Sequence, residues 1–252
     1  EGLTSQPLTP AAICAFGAAV AVTIMTFLKL PVSTSQAMIG SIMGLGIMQN
    51  ELNISGLGKV LVCWVGTLIG GVIISVVLYF ILKRVTRHLN PSIFQFDPII
   101  RLLLILAGCY GAYALGANNV GNVVGVFVGS GAIGSRLGGF LGGLAIAFGL
   151  ITFSKSVMMT VGKGIVKLDA FTALVALISH SLTLHFYANV GVPVSSSQAI
   201  VGAVLGIGLI KGLQTVNKNK MLRVFSGWIT TPAIAGTITI LIYVFTHLRL
   251  EF

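Results

Sequence analysis

Apolar runs dominate this chain and decide what it can fold into. They fall at 11–28, 37–48, 58–82, 102–115, 123–133, 137–161, 170–190, 199–210 and 225–246. Several are long enough to cross, as helix, a hydrocarbon core of roughly 30 Å. Only 8% of the 252 residues are charged, and mean hydropathy is +1.02. An ordinary soluble domain is about a quarter charged, so this chain could not cover a water-facing surface. A cytosolic enzyme, a secreted disulfide scaffold, a disordered tail and a nucleic-acid binder are excluded as first readings. The expected class is an all-α polytopic protein of the cell (cytoplasmic) membrane, with the lipid bilayer as its solvent.

Net charge is +10, from 15 Lys and Arg against 5 Asp and Glu. Most of the basic residues sit in short gaps between apolar runs, which is the positive-inside pattern and not a nucleic-acid surface. Cys14, Cys63 and Cys109 lie within apolar runs and read as buried thiols, with no disulfide framework and no metal site. Gly129, Gly131 and Gly134 spell GxGxxG, but no strand–helix–strand unit surrounds them, so no dinucleotide site is expected.

The chain contains an internal repeat. Residues 31–47 read PVSTSQAMIGSIMGLGI and residues 193–209 read PVSSSQAIVGAVLGIGL, with nine of 17 positions identical at an offset of 162. Trp64 and Tyr79 are matched by Trp228 and Tyr243. On this reading 1–82 is the remainder of a first repeat, whose opening part would precede Glu1. Residues 83–100 form a cytoplasmic inter-repeat loop, and 101–252 form the second repeat. Taking each repeat as five passes, an odd number, inverts the second relative to the first. Eleven Lys and Arg then fall on one face and three (Lys59, Arg136, Arg249) on the other, which places the eleven in the cytoplasm.

Two features carry chemistry. The first is Gly116-Ala117-Asn118-Asn119-Val120-Gly121-Asn122, which interrupts the run that starts at Leu102. Three amides and two glycines are poor helix material. They predict a broken helix whose free N–H groups and positive dipole end suit an anion. The second is the proline-led pair. Ser33, Thr34, Ser35 and Gln36 follow Pro31, and Ser195, Ser196, Ser197 and Gln198 follow Pro193. A helix cap needs one hydroxyl, so three hydroxyls and an amide at two symmetry-related places point to an anion site.

Lys155 sits in mid-run and is a secondary candidate, because a charge at that depth is costly. His180 and His185 are five residues apart and so not on one helix face. They read as satisfied core histidines, with a proton relay as the rival. No Asp or Glu lies inside any run, so no carboxylate cation site is evident. No nucleophile–base pair, metalloprotease motif or nucleotide loop is present. The chain is expected to be no enzyme and to need no cofactor.

The pair PVSTSQ and PVSSSQ, the GANNVGN segment, and the stretch Lys155–Val161 running into Gly164-Ile165 together resemble the inorganic phosphate transporter (PiT) family. That resemblance covers essentially the whole chain. It implies an inverted-repeat secondary transporter that moves an inorganic oxyanion in symport with sodium or protons, by alternating access and without ATP. The family signature resembles GANDVAN. This chain has Asn119 where the pattern has Asp, and Gly121 where it has Ala. Phosphate carries an O–H that benefits from an acceptor, whereas sulfate carries none and is repelled by a carboxylate. The expectation is therefore sulfate with H+, bound by Asn118, Asn119, Asn122 and the two hydroxyl blocks. The alternative is phosphate with Na+, and a more remote one is an anion channel. A homodimer is allowed by the glycine-rich faces but not demanded.

Overall fold

A computed structural model of the chain describes residues 8–28, 32–90, 92–162, 166–192 and 194–248. Lys29, Pro31, Lys163, Gly164, Ile165, Pro193 and Arg249, all named above, lie outside the described residues, as does the side chain of Lys155. The described elements are α1 (Leu8–Phe27), α2 (Thr34–Gln49), α3 (Ile54–Leu89), α4 (Ile93–Gly129), α5 (Ser135–Gly162), α6 (Ala170–Val190), α7 (Ser196–Lys211), a 3-10 turn (Leu213–Thr215) and α8 (Lys218–Leu248). Six of the helices are long and apolar enough to span a bilayer.

Burial is the reverse of that in a soluble protein. Ser41, Thr67, Ser75 and Ser179 are fully buried, while Ile151 is 85% and Ile229 74% exposed. Lipid tails are as apolar as isoleucine, so nothing drives large side chains inward. Small and polar residues let backbones approach instead. Several of the buried hydroxyls bond within their own helices: Thr67 donates to the Cys63 carbonyl at 2.6 Å and Ser179 to the Val175 carbonyl at 2.6 Å, while Ser41 donates across to the Ala235 carbonyl of α8 at 3.5 Å. The chain is a multi-pass membrane protein. Of the three thiols Cys14 is buried and Cys63 half-buried, but Cys109 is exposed, contrary to expectation. Its place on a spanning helix lets a small apolar thiol face lipid at no cost.

The chain forms two compact units that interleave in sequence. The first comprises Glu1–Leu61, Asn119–Thr160 and Leu222–Phe252; the second comprises Val62–Asn118 and Val161–Met221. In the first unit, α1 and α2 pack together and α2 lies against α8. A methyl added to Gly44 would sit 2.9 Å from the Gly236 Cα, and one on Gly40 would strike the Pro232 backbone. Cys14, Ala18, Ala21, Ala37, Met38, Leu45 and Ala235 form the core there. In the second unit, α6 and α7 pack together and α7 lies against α3. A methyl on Gly202 would strike the Leu68 carbonyl, and one on Gly71 would sit 2.7 Å from the Ala199 carbonyl. At the repeat offset, α2 corresponds to α7 and α3 to α8. Each short helix therefore packs on the long helix that follows the other short helix in sequence.

Two expectations are corrected. The loop over 83–100 is helix on both sides of a short connection, since α3 ends at Leu89 and α4 begins at Ile93. The break at 116–122 is not there either, because the segment is helical within the 37 residues of α4. The magnitudes explain this. Asn and Gly cost a helix up to about 1 kcal/mol each, whereas a backbone group unpaired in lipid costs several.

Candidate functional site

Each unit holds one of the proline-led blocks at the start of a helix, and both starts are built alike. Ser33 is the N-cap of α2, with φ −115° and ψ 115°, and its Oγ accepts from the Gln36 N–H at 3.4 Å. Ser195 is the N-cap of α7, with φ −84° and ψ 112°, and its Oγ accepts from the Gln198 N–H at 3.3 Å. A cap of this kind satisfies one of the four unpaired N–H groups at a helix start. The positive end of each helix dipole can attract an anion.

The hydroxyls beyond the caps are held differently. In the first unit Ser35 is buried and its Oγ accepts from the Asn122 Nδ2 at 2.7 Å. In the second unit the equivalent Ser197 shares a 2.8 Å hydrogen bond with Ser195. Thr34 and Ser196 are half-buried. Gln36 and Gln198 are 1% and 7% exposed, and the Oε1 of each has no hydrogen-bond partner. Two buried orphan acceptors at positions related by the repeat are unusual, since buried polar groups are paired in the great majority of cases.

The amide segment of α4 serves both units. Asn118, which closes the first segment of the second unit, is 5% exposed. Its Nδ2 donates to the Val194 carbonyl at 3.0 Å, and its Oδ1 accepts from the Val194 N–H at 3.4 Å. That pairing ties α4 to the residue just ahead of the α7 cap. Asn122 holds Ser35 in the first unit, and Asn119 is half-buried. Asn118 and Asn122 thus act as side-chain struts from an intact helix and not as free donors of an unwound one.

Both helix starts lie partway along spanning helices. In the second unit the Ser196 backbone lies beside the His180 ring, at the middle of α6. Ala199, on the first turn of α7, meets Gly71 near the middle of α3. In the first unit Gly40, on the second turn of α2, meets Pro232 near the middle of α8. With about 1.5 Å of rise per residue, the donor-rich ends sit well inside the apolar span and not at its surface.

The far end of the α6–α7 hairpin is clamped. The Lys211 Nζ donates to the Asp169 carboxylate at 2.6 Å, to the Lys167 carbonyl at 3.3 Å and to the Thr172 hydroxyl at 3.3 Å. Asp169 also caps α6, with Thr172 closing a capping box. Partial burial would push the Asp169 carboxyl up, but the bonds from Lys211 and Thr172 outweigh it and hold its pKa below the ordinary value. Tyr110 and His185 are joined at 2.8 Å, so His185 belongs to an α4–α6 contact. No cluster of metal-ligating side chains occurs among the described residues. His180 was read as a core residue. Its place beside α7 depends on how deep α7 starts, which no local signal records.

Comparisons with known proteins agree with this architecture. The sequence profile of the phosphate transporter family matches residues 3–96 and 94–239. A protein of Methanocaldococcus jannaschii named "Putative phosphate permease" is 30% identical over 93% of this chain and 74% of its own length. One of the same name from Haemophilus influenzae is 32% identical over 79% of this chain and 50% of its own. Sulfate permease CysP of Bacillus subtilis is 24% identical over 95% of this chain and 68% of its own. Several relatives are therefore matched over only about half of their length. A solved structure titled "The sodium-dependent phosphate transporter" superposes with a TM-score of 0.81 at 20% identity, over 95% of this chain and 80% of that one, and so shares its fold.

Proposed function

We propose that this chain, which belongs to the phosphate transporter family, carries out secondary active transport of inorganic phosphate. The single observation behind the reading is the duplicated start of α2 and α7. Each has a serine cap, further hydroxyls, the positive end of a helix dipole and an asparagine strut, and each lies inside the span. Ser33, Thr34, Ser35 and Gln36 serve the anion in the first unit, and Ser195, Ser196, Ser197 and Gln198 in the second. Asn118 and Asn122 hold those blocks in place, and Asn119 lies on the same helix between them. Sodium is the favoured coupling ion, in line with the name of the solved structure that shares the fold. Alternating access by rocking of the repeats is the motion such inverted folds use.

Sulfate with H+ is the second reading. Asn119, where the family signature carries Asp, supports it, as does the likeness to a sulfate permease. Phosphate stands first because the family and several of the relatives carry that name. Uptake of radiolabelled phosphate and sulfate into proteoliposomes, under an inward Na+ or H+ gradient, separates the two. Phosphate uptake that requires the Na+ gradient is the expected result. Uptake of sulfate alone overturns it, and current far above a transporter's turnover would point to a channel.

A further inference from the structure

The two helix starts differ in one titratable group. His180 of α6 lies beside the Ser196 backbone at the start of α7, and its Nδ1 is buried with no hydrogen-bond partner. At the repeat offset its counterpart is Ala18, a buried core residue of α1. The first unit therefore has no ionisable group at this position. A second unpaired atom marks the same end of α7, since the Gln198 Oε1 is also buried without a partner.

The other titratable groups around α6 are engaged or distant. On α7, Lys211 is held at the opposite end by Asp169 and Thr172. On α4, Tyr110 is bonded to His185, the Tyr113 ring lies against His185, and Cys109 is exposed. Asp97 and Arg101 of α4 flank Ile100, which packs on Leu174 near the start of α6. On α3, Tyr79 packs on Phe171 and Cys63 packs near Leu184 and Tyr187, to either side of His180.

We propose that His180 is the residue that couples proton binding to anion binding at the α7 helix start. The inference rests on the anion-binding reading above. A proton on Nδ1 gives the buried orphan atom an N–H and places a positive charge beside Ser196. Burial away from water opposes that charge while the site is empty. A bound oxyanion reverses the balance and favours the protonated ring. Linkage is reciprocal, so the protonated ring favours the oxyanion to the same degree. His180 acts here through the electrostatics of the helix start and need not touch the anion.

The test is calorimetry of phosphate binding to the full chain in detergent, between pH 5.5 and 8, in two buffers of different ionisation enthalpy. The ligand's own ionisation is common to all variants, so differences between them report the protein. The wild type is expected to take up protons with the anion beyond the ligand's share. Its affinity should fall about tenfold more than that of His180→Gln across the range. His180→Ala, which carries the residue the first repeat has at this place, should behave like His180→Gln and guards against a misfolded first variant. Equal proton uptake and equal pH profiles in the wild type and either folded variant overturn the inference. Wild-type binding with no protein proton uptake also overturns it, even if neither variant folds. No phosphate binding by the wild type at any pH instead defeats the functional reading on which it rests.

Discussion

The α2 and α7 helix starts share one cap and differ in almost everything around it. Ser33 and Ser195 bond the N–H three residues on in the same way, and Gln36 and Gln198 both bury an unpaired Oε1. Beyond that, the first start is braced by Asn122 on Ser35, while the second is braced by Asn118 on Val194 and has His180 at its side. The ends of the hairpins differ too: Lys211 grips Asp169 in the second, and the equivalent positions in the first are Gln49 and Pro7. What the repeat keeps is the part that presents N–H groups. What it lets drift is the part that holds and tunes them.

The largest effect should come from the shared packing. Gly40→Val and Gly202→Val push a side chain into the Pro232 backbone and the Leu68 carbonyl respectively. Neither neighbour is a flexible side-chain end that can swing aside. Each variant should lose 3 kcal/mol or so, at the upper end of ordinary overpacking, and little folded protein should elute as a single species in detergent. If one were tolerated and the other not, the two units would not be built alike.

Next come the braces. Asn118→Leu strips two bonds from buried Val194, at about 1 kcal/mol each. Asn122→Leu loses one bond to one hydroxyl. Phosphate uptake should therefore fall at least about tenfold more in the first variant than in the second. Equal losses would mean that the braces do not set the geometry. The caps follow: Ser33→Ala and Ser195→Ala should each cost about 1 kcal/mol, read as matched drops in thermal stability.

The smallest effect belongs to the clamp. Lowering the folded-state pKa of Asp169 gives stability that is present above the ordinary carboxylate value of 3.8 and is lost as pH falls through the lower folded value. Asp169 is 57% exposed, so screening keeps the contribution below about 1 kcal/mol. Lys211→Gln should flatten that acid dependence slightly, as seen in melting curves between pH 3 and 5. No change would show the ion pair to be neutral.

Much of this was legible in the sequence, for identifiable reasons. Apolar runs mark spans because lipid demands them, and the serine-to-glutamine spacing of three is the spacing of an N-cap bond. The helix through Asn118, Asn119 and Asn122 was misread because propensity was weighed alone. In lipid the cost of an unpaired backbone outweighs it, and the amides found partners in Val194 and Ser35. The exchange of long helices was hidden because a glycine face at Gly40/Gly44 or Gly202/Gly206 fits any close backbone and names no partner. Specificity for phosphate or sulfate was drawn from Asn119 by itself, while the family and several relatives carry the phosphate name.

Hydrogen–deuterium exchange of the full chain, with and without inorganic phosphate, bears most directly on whether the paired helix starts hold the oxyanion. Amides 34–37 and 196–199 should exchange more slowly in phosphate, in both segments, while those of the α3 start at 54–58 stay unchanged. Protection confined to other segments, or absent from both blocks when phosphate is bound, would contradict the account.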